Sequence, residues 1–235
     1  MNILVTGATR GIGKAIAEMC LKDGYNLFAT GRNEKLLECY KNYLISDLST
    51  LAGMKEIGDY ILENKIDVLI NNAGEYLYTP IDKGVDLSDL EHIVKLNLEA
   101  PIYLISKAVN YMKEQRFGRI INIGSISGVM GEANASLYSA TKAGLIGATK
   151  ALALELAEYG ITVNTINPGW VDTDLGNSSV EDCDFSKEEL IDCIPQRRFV
   201  APDEVAGMVK YLISKEAKGV TGQSINLCAG LSVGY

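Results

Sequence analysis

Tyr138 and Lys142 stand four positions apart in the run Tyr138-Ser139-Ala140-Thr141-Lys142. The segment has helical periodicity, so the two side chains share one face. A phenol with an ordinary pKa near ~10 is a poor acid or base at neutrality, but a nearby ammonium favours the phenolate and makes the pair usable for proton transfer. Ser125 lies at the carboxyl end of the strand-like run Arg119 to Ile123. Its hydroxyl can donate to an oxygen that gains negative charge. Each residue also has a plain structural reading, as a Tyr/Lys pair on a helix surface and as a cap in the loop Ser125-Ile126-Ser127-Gly128. Together they suit delivery of a proton to a carbonyl oxygen as a hydride reaches its carbon.

Few other groups could do such work. A single histidine, His92, cannot supply the imidazoles of zinc hydrolases, zinc alcohol dehydrogenases or Ser-His-Asp enzymes. Its place in the acidic, amphipathic stretch Leu87 to Leu98 reads as a solvent-facing helix position. Cys20, Cys39, Cys183, Cys193 and Cys228 are odd in number, scattered and never in a C-x-x-C pair. Reduced, mostly buried thiols are expected, with no disulfide framework and no metal site.

A second constellation lies near the start, in Thr6-Gly7-Ala8-Thr9-Arg10-Gly11-Ile12-Gly13, directly after a strand-like run and opening a helical one. Glycines there let the backbone turn tightly and approach a pyrophosphate, and the helix N-terminus presents free N–H groups to the anion. Gly31 and Arg32 stand just beyond the end of the second strand-like run. A carboxylate at that junction would accept from the ribose hydroxyls of NAD, whereas an arginine attracts a 2′-phosphate. Arg10 adds a second positive group, so NADPH/NADP+ is expected over NADH.

The elements that position these groups alternate along the chain. Asn2 to Val5, Asn26 to Ala29, Tyr43 to Ile45, Ile66 to Ile70, Arg119 to Ile123, Thr162 to Ile166 and Ser224 to Leu227 read as strands. Ile12 to Lys22, Met54 to Glu63, Leu87 to Gln115, Leu137 to Tyr159 and Pro202 to Ser214 read as helices. Such alternation implies βαβ units, and so an α/β, doubly wound, Rossmann-type fold with a mainly parallel seven-stranded sheet and helices on both faces. Its 235 residues are expected to form one domain, 1–235. Asp172 to Phe199 is longer than a simple connection, carries Leu175, Phe185 and Leu190, and is expected to be a substrate lid.

With these motifs in place the sequence resembles the short-chain dehydrogenase/reductase family over essentially its whole length. Gly7, Gly11 and Gly13 match that family's nucleotide turn, Asn71-Asn72-Ala73-Gly74 its signature after the fourth strand, and Tyr138 to Lys142 its Y-x-x-x-K. Within the family the likeness is to the 3-oxoacyl-acyl-carrier-protein reductases, through Gly118-Arg119-Ile120-Ile121-Asn122-Ile123 and the run Lys142 to Pro168. The resemblance implies that Tyr138 protonates the carbonyl oxygen, Ser125 orients it, Lys142 also holds the nicotinamide ribose and Asn97 anchors a proton-relay water. It places Thr6, Gly7, Thr9, Arg10, Gly11, Ile12, Gly13, Arg32, Asp47, Leu48, Asn72, Ala73, Gly74, Tyr138, Lys142, Pro168, Gly169, Val171 and Thr173 at the cofactor, and implies no metal. Asp47 read alone is a helix cap, and Asn97 a buried polar helix residue.

Charge and composition narrow the partners. A net charge of -8 opposes nucleic-acid and membrane-surface binding. Met1 to Thr6 lacks the features of a secretory signal, and no apolar run approaches the roughly 20 residues of a membrane span, so a cytoplasmic protein is expected. The resemblance implies a small-molecule or acyl-thioester substrate, an acyl carrier protein as a candidate partner, a role in fatty acid biosynthesis and a homotetramer. Arg116 matches one basic position used to meet the carrier, while Tyr159 stands where a second arginine would be. Asn226 to Gly230 departs from the family's aspartate-glycine-glycine ending. A polyol, sugar or hydroxysteroid dehydrogenase is the alternative, and a noncatalytic dinucleotide-binding module a third reading.

Overall fold

The computed structural model describes residues 1–181 and 186–233, leaving Cys183 and Phe185 outside the described residues. Seven strands, β1 (Asn2–Thr6), β2 (Asn26–Gly31), β3 (Asn42–Ile45), β4 (Val68–Asn71), β5 (Gly118–Ile123), β6 (Ile161–Pro168) and β7 (Ser224–Leu227), form one parallel sheet ordered β3-β2-β1-β4-β5-β6-β7. The described helices are α1 (Gly11–Lys22), α2 (Glu34–Leu37), α3 (Leu51–Asn64), α4 (Leu87–Val94), α5 (Ala100–Gln115), α6 (Ser127–Met130), α7 (Ser136–Leu156), α8 (Asp174–Glu181), α9 (Lys187–Cys193) and α10 (Pro202–Ile213). Strand order reverses between β1 and β4, which opens a crevice at their carboxyl ends.

β1 shows how the sheet is covered. Ile3 and Val5 join Ile16 of α1 and Val205 and Val209 of α10, while Leu4 between them joins Ile57 of α3 and Leu104 of α5. All three β1 side chains are fully buried. Burying each of these aliphatic groups contributes about 1.5–3 kcal/mol, and because both faces are covered the strands read as continuous apolar runs. A buried polar chain crosses this core. Asn71 donates to Asn122 at 2.9 Å, Asn122 donates to Thr149 of α7 at 2.9 Å, and the Thr149 and Thr165 hydroxyls are hydrogen-bonded at 2.7 Å. These bonds fix α7, the helix that carries Tyr138 and Lys142, against the sheet.

The structure departs from the sequence reading in three places. The expected single helix Leu87 to Gln115 is α4, a wide π turn over Lys95–Glu99, and α5. Pro101 has no N–H for the carbonyl of Asn97 four residues back, so the regular ladder cannot run through that point, and the wider turn carries Asn97 inward. The segment Asp172 to Phe199, expected as a lid with no helix of its own before Pro202, contains α8 and α9, and α9 is started by a capping box between Ser186 and Glu189. Cys20 and Cys228 are buried as expected, but Cys39 and Cys193 are exposed.

Candidate active site

The turn after β1 is built to bring backbone close to backbone. Gly7 and Gly11 take φ of 67° and 52°, a region costly for side chains bearing a Cβ. A Cβ on Gly13 would lie 2.1 Å from the Gly7 carbonyl oxygen and 2.4 Å from Asn72 Nδ2. That proximity is in use: Asn72 Nδ2 donates to the carbonyls of Thr6 and Gly7 at 2.9 and 3.1 Å. Thr6 itself is buried, and its hydroxyl accepts from the N–H groups of Asn72 and Ala73, each at 3.0 Å. Thr6 therefore ties the two turns together rather than lining the groove. α1 opens with no side-chain cap at Arg10 and no acidic residue in its first turn, so its N–H groups remain available to an anion.

These turns bound a groove of about 380 Å³ at the strand-order reversal. Gly7 and Thr9 to Gly13 line one side, and Arg32, Asp47 and Leu48 one end. Asn72 to Gly74, Lys142, Tyr138 and Thr173 complete it. Three residues expected at the cofactor, Pro168, Gly169 and Val171, line instead an adjoining cavity of about 440 Å³. The strand β6 ends at Pro168, so its carboxyl end faces that second space. The glycine cradle and uncapped helix start fit a dinucleotide pyrophosphate.

Tyr138 lies where the groove and the second cavity meet, and lines both. Ser125 lines the second cavity and hydrogen-bonds the Tyr138 side chain. Lys142 is buried, with Nζ 5.7 Å from the centre of the Tyr138 ring and donating to the Ile123 carbonyl at 3.0 Å. Asn97, also buried, accepts from the Glu75 N–H at 3.0 Å and donates to the Glu75 carbonyl at 2.9 Å. A Cβ on Gly74 would meet Asn97 Oδ1 at 3.0 Å and Lys142 Nζ at 3.4 Å, which brings these groups to one spot.

Burial is the largest influence on the phenol. Burial pushes the Tyr138 phenol up to about 12; the hydrogen bond with Ser125 opposes this, and the charge of Glu132 adds to it. Burial likewise pulls the Lys142 ammonium down to about 8. The ammonium donates to the Ile123 carbonyl and lies over the Tyr138 ring, and desolvation is the largest influence on both groups.

Glu132 is the residue that motif reading missed. Its Oε2 accepts from Ser127 at 2.5 Å and its Oε1 from the Tyr76 hydroxyl at 3.0 Å, while the Tyr76 ring meets Tyr138 edge-on at 5.2 Å. Ser125 in turn donates to Ser127 at 3.0 Å. An ionised carboxylate only accepts, so Ser127 must give its proton to Glu132 and Ser125 its proton to Ser127. Glu132 thus orders the hydroxyls that end at Tyr138.

At the other end of the groove, Arg32 Nη2 lies 2.8 Å from Glu75 Oε1, and His92 Nε2 lies 2.9 Å from Glu75 Oε2. His92 is therefore not simply solvent-facing. For Asp47, burial acts to raise the carboxyl's pKa, but hydrogen bonds from Ser49 and the charges of Arg32 and His92 bring it below the usual carboxylate value. Its carboxylate serves Ser49, and Thr50 is the cap of α3.

Residues 7–232 match the protein family described as enoyl-(acyl carrier protein) reductase. The chain is 37% identical over 240 residues to a 3-oxoacyl-[acyl-carrier-protein] reductase FabG of Vibrio harveyi, covering 97% of this chain and 96% of the relative. The corresponding reductase of Aquifex aeolicus is also 37% identical, with 97% and 96% covered. Among solved structures, an actinorhodin polyketide ketoreductase with NADPH superposes with a TM-score of 0.92 at 34% identity, covering 99% and 97% of the two chains. An aldohexose dehydrogenase of Thermoplasma acidophilum gives 0.90 at 31% identity, covering 100% and 94%.

Proposed function

The chain belongs to the short-chain dehydrogenase/reductase family, and from that premise we propose that it is an NADPH-dependent reductase of 3-oxoacyl thioesters, carried on acyl carrier protein or coenzyme A, or of related ketones. The observation that carries this reading is the place of Tyr138, whose phenol stands between a groove suited to a dinucleotide and a cavity walled by Tyr78, Met130, Trp170 and Leu190. Those side chains suit an acyl chain.

When bound, the reduced nicotinamide supplies the hydride. Tyr138 gives its Oη proton to the carbonyl oxygen, and Ser125 orients that oxygen from the cavity side. For Ser125 to donate to substrate it must release Ser127, which accepts its proton at rest. Lys142 keeps its proton at neutrality, since its pKa lies near 8, and holds the ribose while stabilising the developing phenolate. Asn97 anchors the proton relay that restores Tyr138. Pro168, Gly169, Val171 and Thr173 support the carboxamide end, with the first three reaching it from the substrate side.

Several finer features belong to the same reading. α8 and α9 act as the lid, and Lys187 of α9 reaches back to Asp172 at 3.7 Å. Leu154 and Leu87 are 85% and 79% exposed on α7 and α4, as the subunit contacts of a homotetramer would need. Arg116, whose guanidinium donates to the Glu158 carbonyl at 2.8 Å, marks the carrier-protein side, and the thiols of Cys20, Cys39 and Cys228 suit the reducing cytoplasm. A sugar or polyol dehydrogenase is the second reading, favoured by the likeness to an aldohexose dehydrogenase and by the Glu132 carboxylate, which can accept from substrate hydroxyls. Following NADPH absorbance with acetoacetyl thioesters, diketones and sugars separates the two. Turnover of the thioesters supports the first reading; activity confined to sugars or polyols overturns it.

A further inference from the structure

We propose that Glu75 sets how strongly this protein prefers a 2′-phosphorylated dinucleotide, by competing with the phosphate for Arg32. The inference rests on the reading that Arg32 meets the 2′-phosphate of NADPH. Arg32 follows β2 and Glu75 follows β4, so they stand on opposite banks of the groove, which both line. The Glu75 carboxylate closes that gap, with Oε1 2.8 Å from Arg32 Nη2 and Oε2 2.9 Å from His92 Nε2.

Three features make this pair more than an incidental surface contact. The first is that the Glu75 main chain is held on both sides by Asn97, through bonds of 3.0 and 2.9 Å. The carboxylate can therefore leave Arg32 only by side-chain rotation, unless the buried Asn97 is disturbed as well. The second is chemical equivalence: a guanidinium binds carboxylate and phosphate through the same planar fork, so an arriving phosphate must displace Glu75 or sit beside its charge. Asp47 adds a further negative group, since the charge of Arg32 also acts on its carboxyl. The third is that a dinucleotide with a free 2′-hydroxyl meets no such conflict, because a hydroxyl can donate to the carboxylate. Glu75 thus performs from β4 the selection that a carboxylate at the end of β2 would perform, and works against the attraction that Arg32 provides.

The test is the dissociation constant of each reduced dinucleotide, read from nicotinamide fluorescence at low salt, for the wild type, Glu75→Gln, Arg32→Gln and the double variant. Glu75→Gln is expected to tighten NADPH by roughly threefold to fivefold, the range commanded by an exposed ion pair, and to leave NADH unchanged or weaker. The gain should shrink at high salt and vanish in the Arg32→Gln background. Glu75→Asp, which keeps the charge but shortens the reach, should raise the NADPH preference in the same direction. An unchanged or lowered NADPH/NADH affinity ratio in Glu75→Gln, or a gain that persists without Arg32, overturns the proposal. If Arg32→Gln alone leaves the ratio untouched, the phosphate reading of Arg32 fails, and failure to bind either dinucleotide removes the cofactor reading itself.

Discussion

Replacing Lys142 by Met should stabilise the protein at neutral pH and abolish a rise in stability that the wild type shows above pH 8. Lys142 is 5% exposed, and burial brings its ammonium from an ordinary 10.5 to about 8. At about 1.4 kcal/mol per pH unit, holding this charge inside costs on the order of 3 kcal/mol. Between pH 8 and 10.5 the unfolded chain keeps the proton that the folded chain has released, so stability increases with pH across that window. Below pH 8 both states are charged and the cost is present in full. Methionine has similar length and no charge, and forfeits the bond to the Ile123 carbonyl, worth about 1 kcal/mol, and the ammonium's contact with the Tyr138 ring, worth about 0.5 kcal/mol. A net gain of roughly 2 kcal/mol at pH 7 follows. Burial raises the Cys20 thiol from 9.0 to about 12, which lowers stability above pH 9 and flattens the wild-type curve. The difference between the two proteins cancels that effect. Urea unfolding at pH 7, 8, 9 and 10, without dinucleotide, should show the variant's advantage shrinking by about 2 kcal/mol or more toward pH 10. A difference that stays constant over that range would refute the claim that Lys142 is held as a desolvated cation.

Two further perturbations probe the groove and the hydroxyl chain. Gly13→Ala places a methyl 2.1 Å from the Gly7 carbonyl oxygen and into the Asn72 amide, so it should cost about 1–3 kcal/mol in overpacking and weaken NADPH binding at least roughly tenfold; an unchanged Tm and Kd would contradict the packed-turn account. Glu132→Gln removes a negative charge that raises the Tyr138 pKa, so the alkaline fall in the reduction rate should move to lower pH, and a profile that stays or moves upward would remove Glu132 from the network.

The strands were legible because helices cover both sheet faces, so most strand interiors are apolar, with buried polar residues such as Asn122, Asn164 and Thr165 the exceptions. β5, with all six residues buried, is read to within one residue from its Ile-rich run. Tyr138, Lys142 and the glycine turn announce themselves by local spacing. The π turn at Asn97 carried a signal in Pro101, and α9 one in Ser186 and Glu189, but both are short and lie inside longer patterns. Glu132 and Glu75 were not legible in their roles. Each is an ordinary surface-type carboxylate in sequence, and acquires meaning only when the turns after β2 and β4, with α4 and α6, bring Arg32 and His92 around Glu75 and Tyr76 and Ser127 around Glu132. Spacing shows that an ammonium is near Tyr138, but not that burial has the largest effect on its phenol.

The central claim is that the Tyr138 phenol supplies the proton that accompanies hydride transfer. Its most direct test is single-turnover reduction of an acetoacetyl thioester by Tyr138→Phe preloaded with NADPH, with the Kd for NADPH measured in parallel. The account predicts a rate lowered by roughly 10²- to 10⁴-fold with Kd unchanged within about twofold. Turnover at the wild-type rate, or a loss explained entirely by weaker NADPH binding, would contradict it.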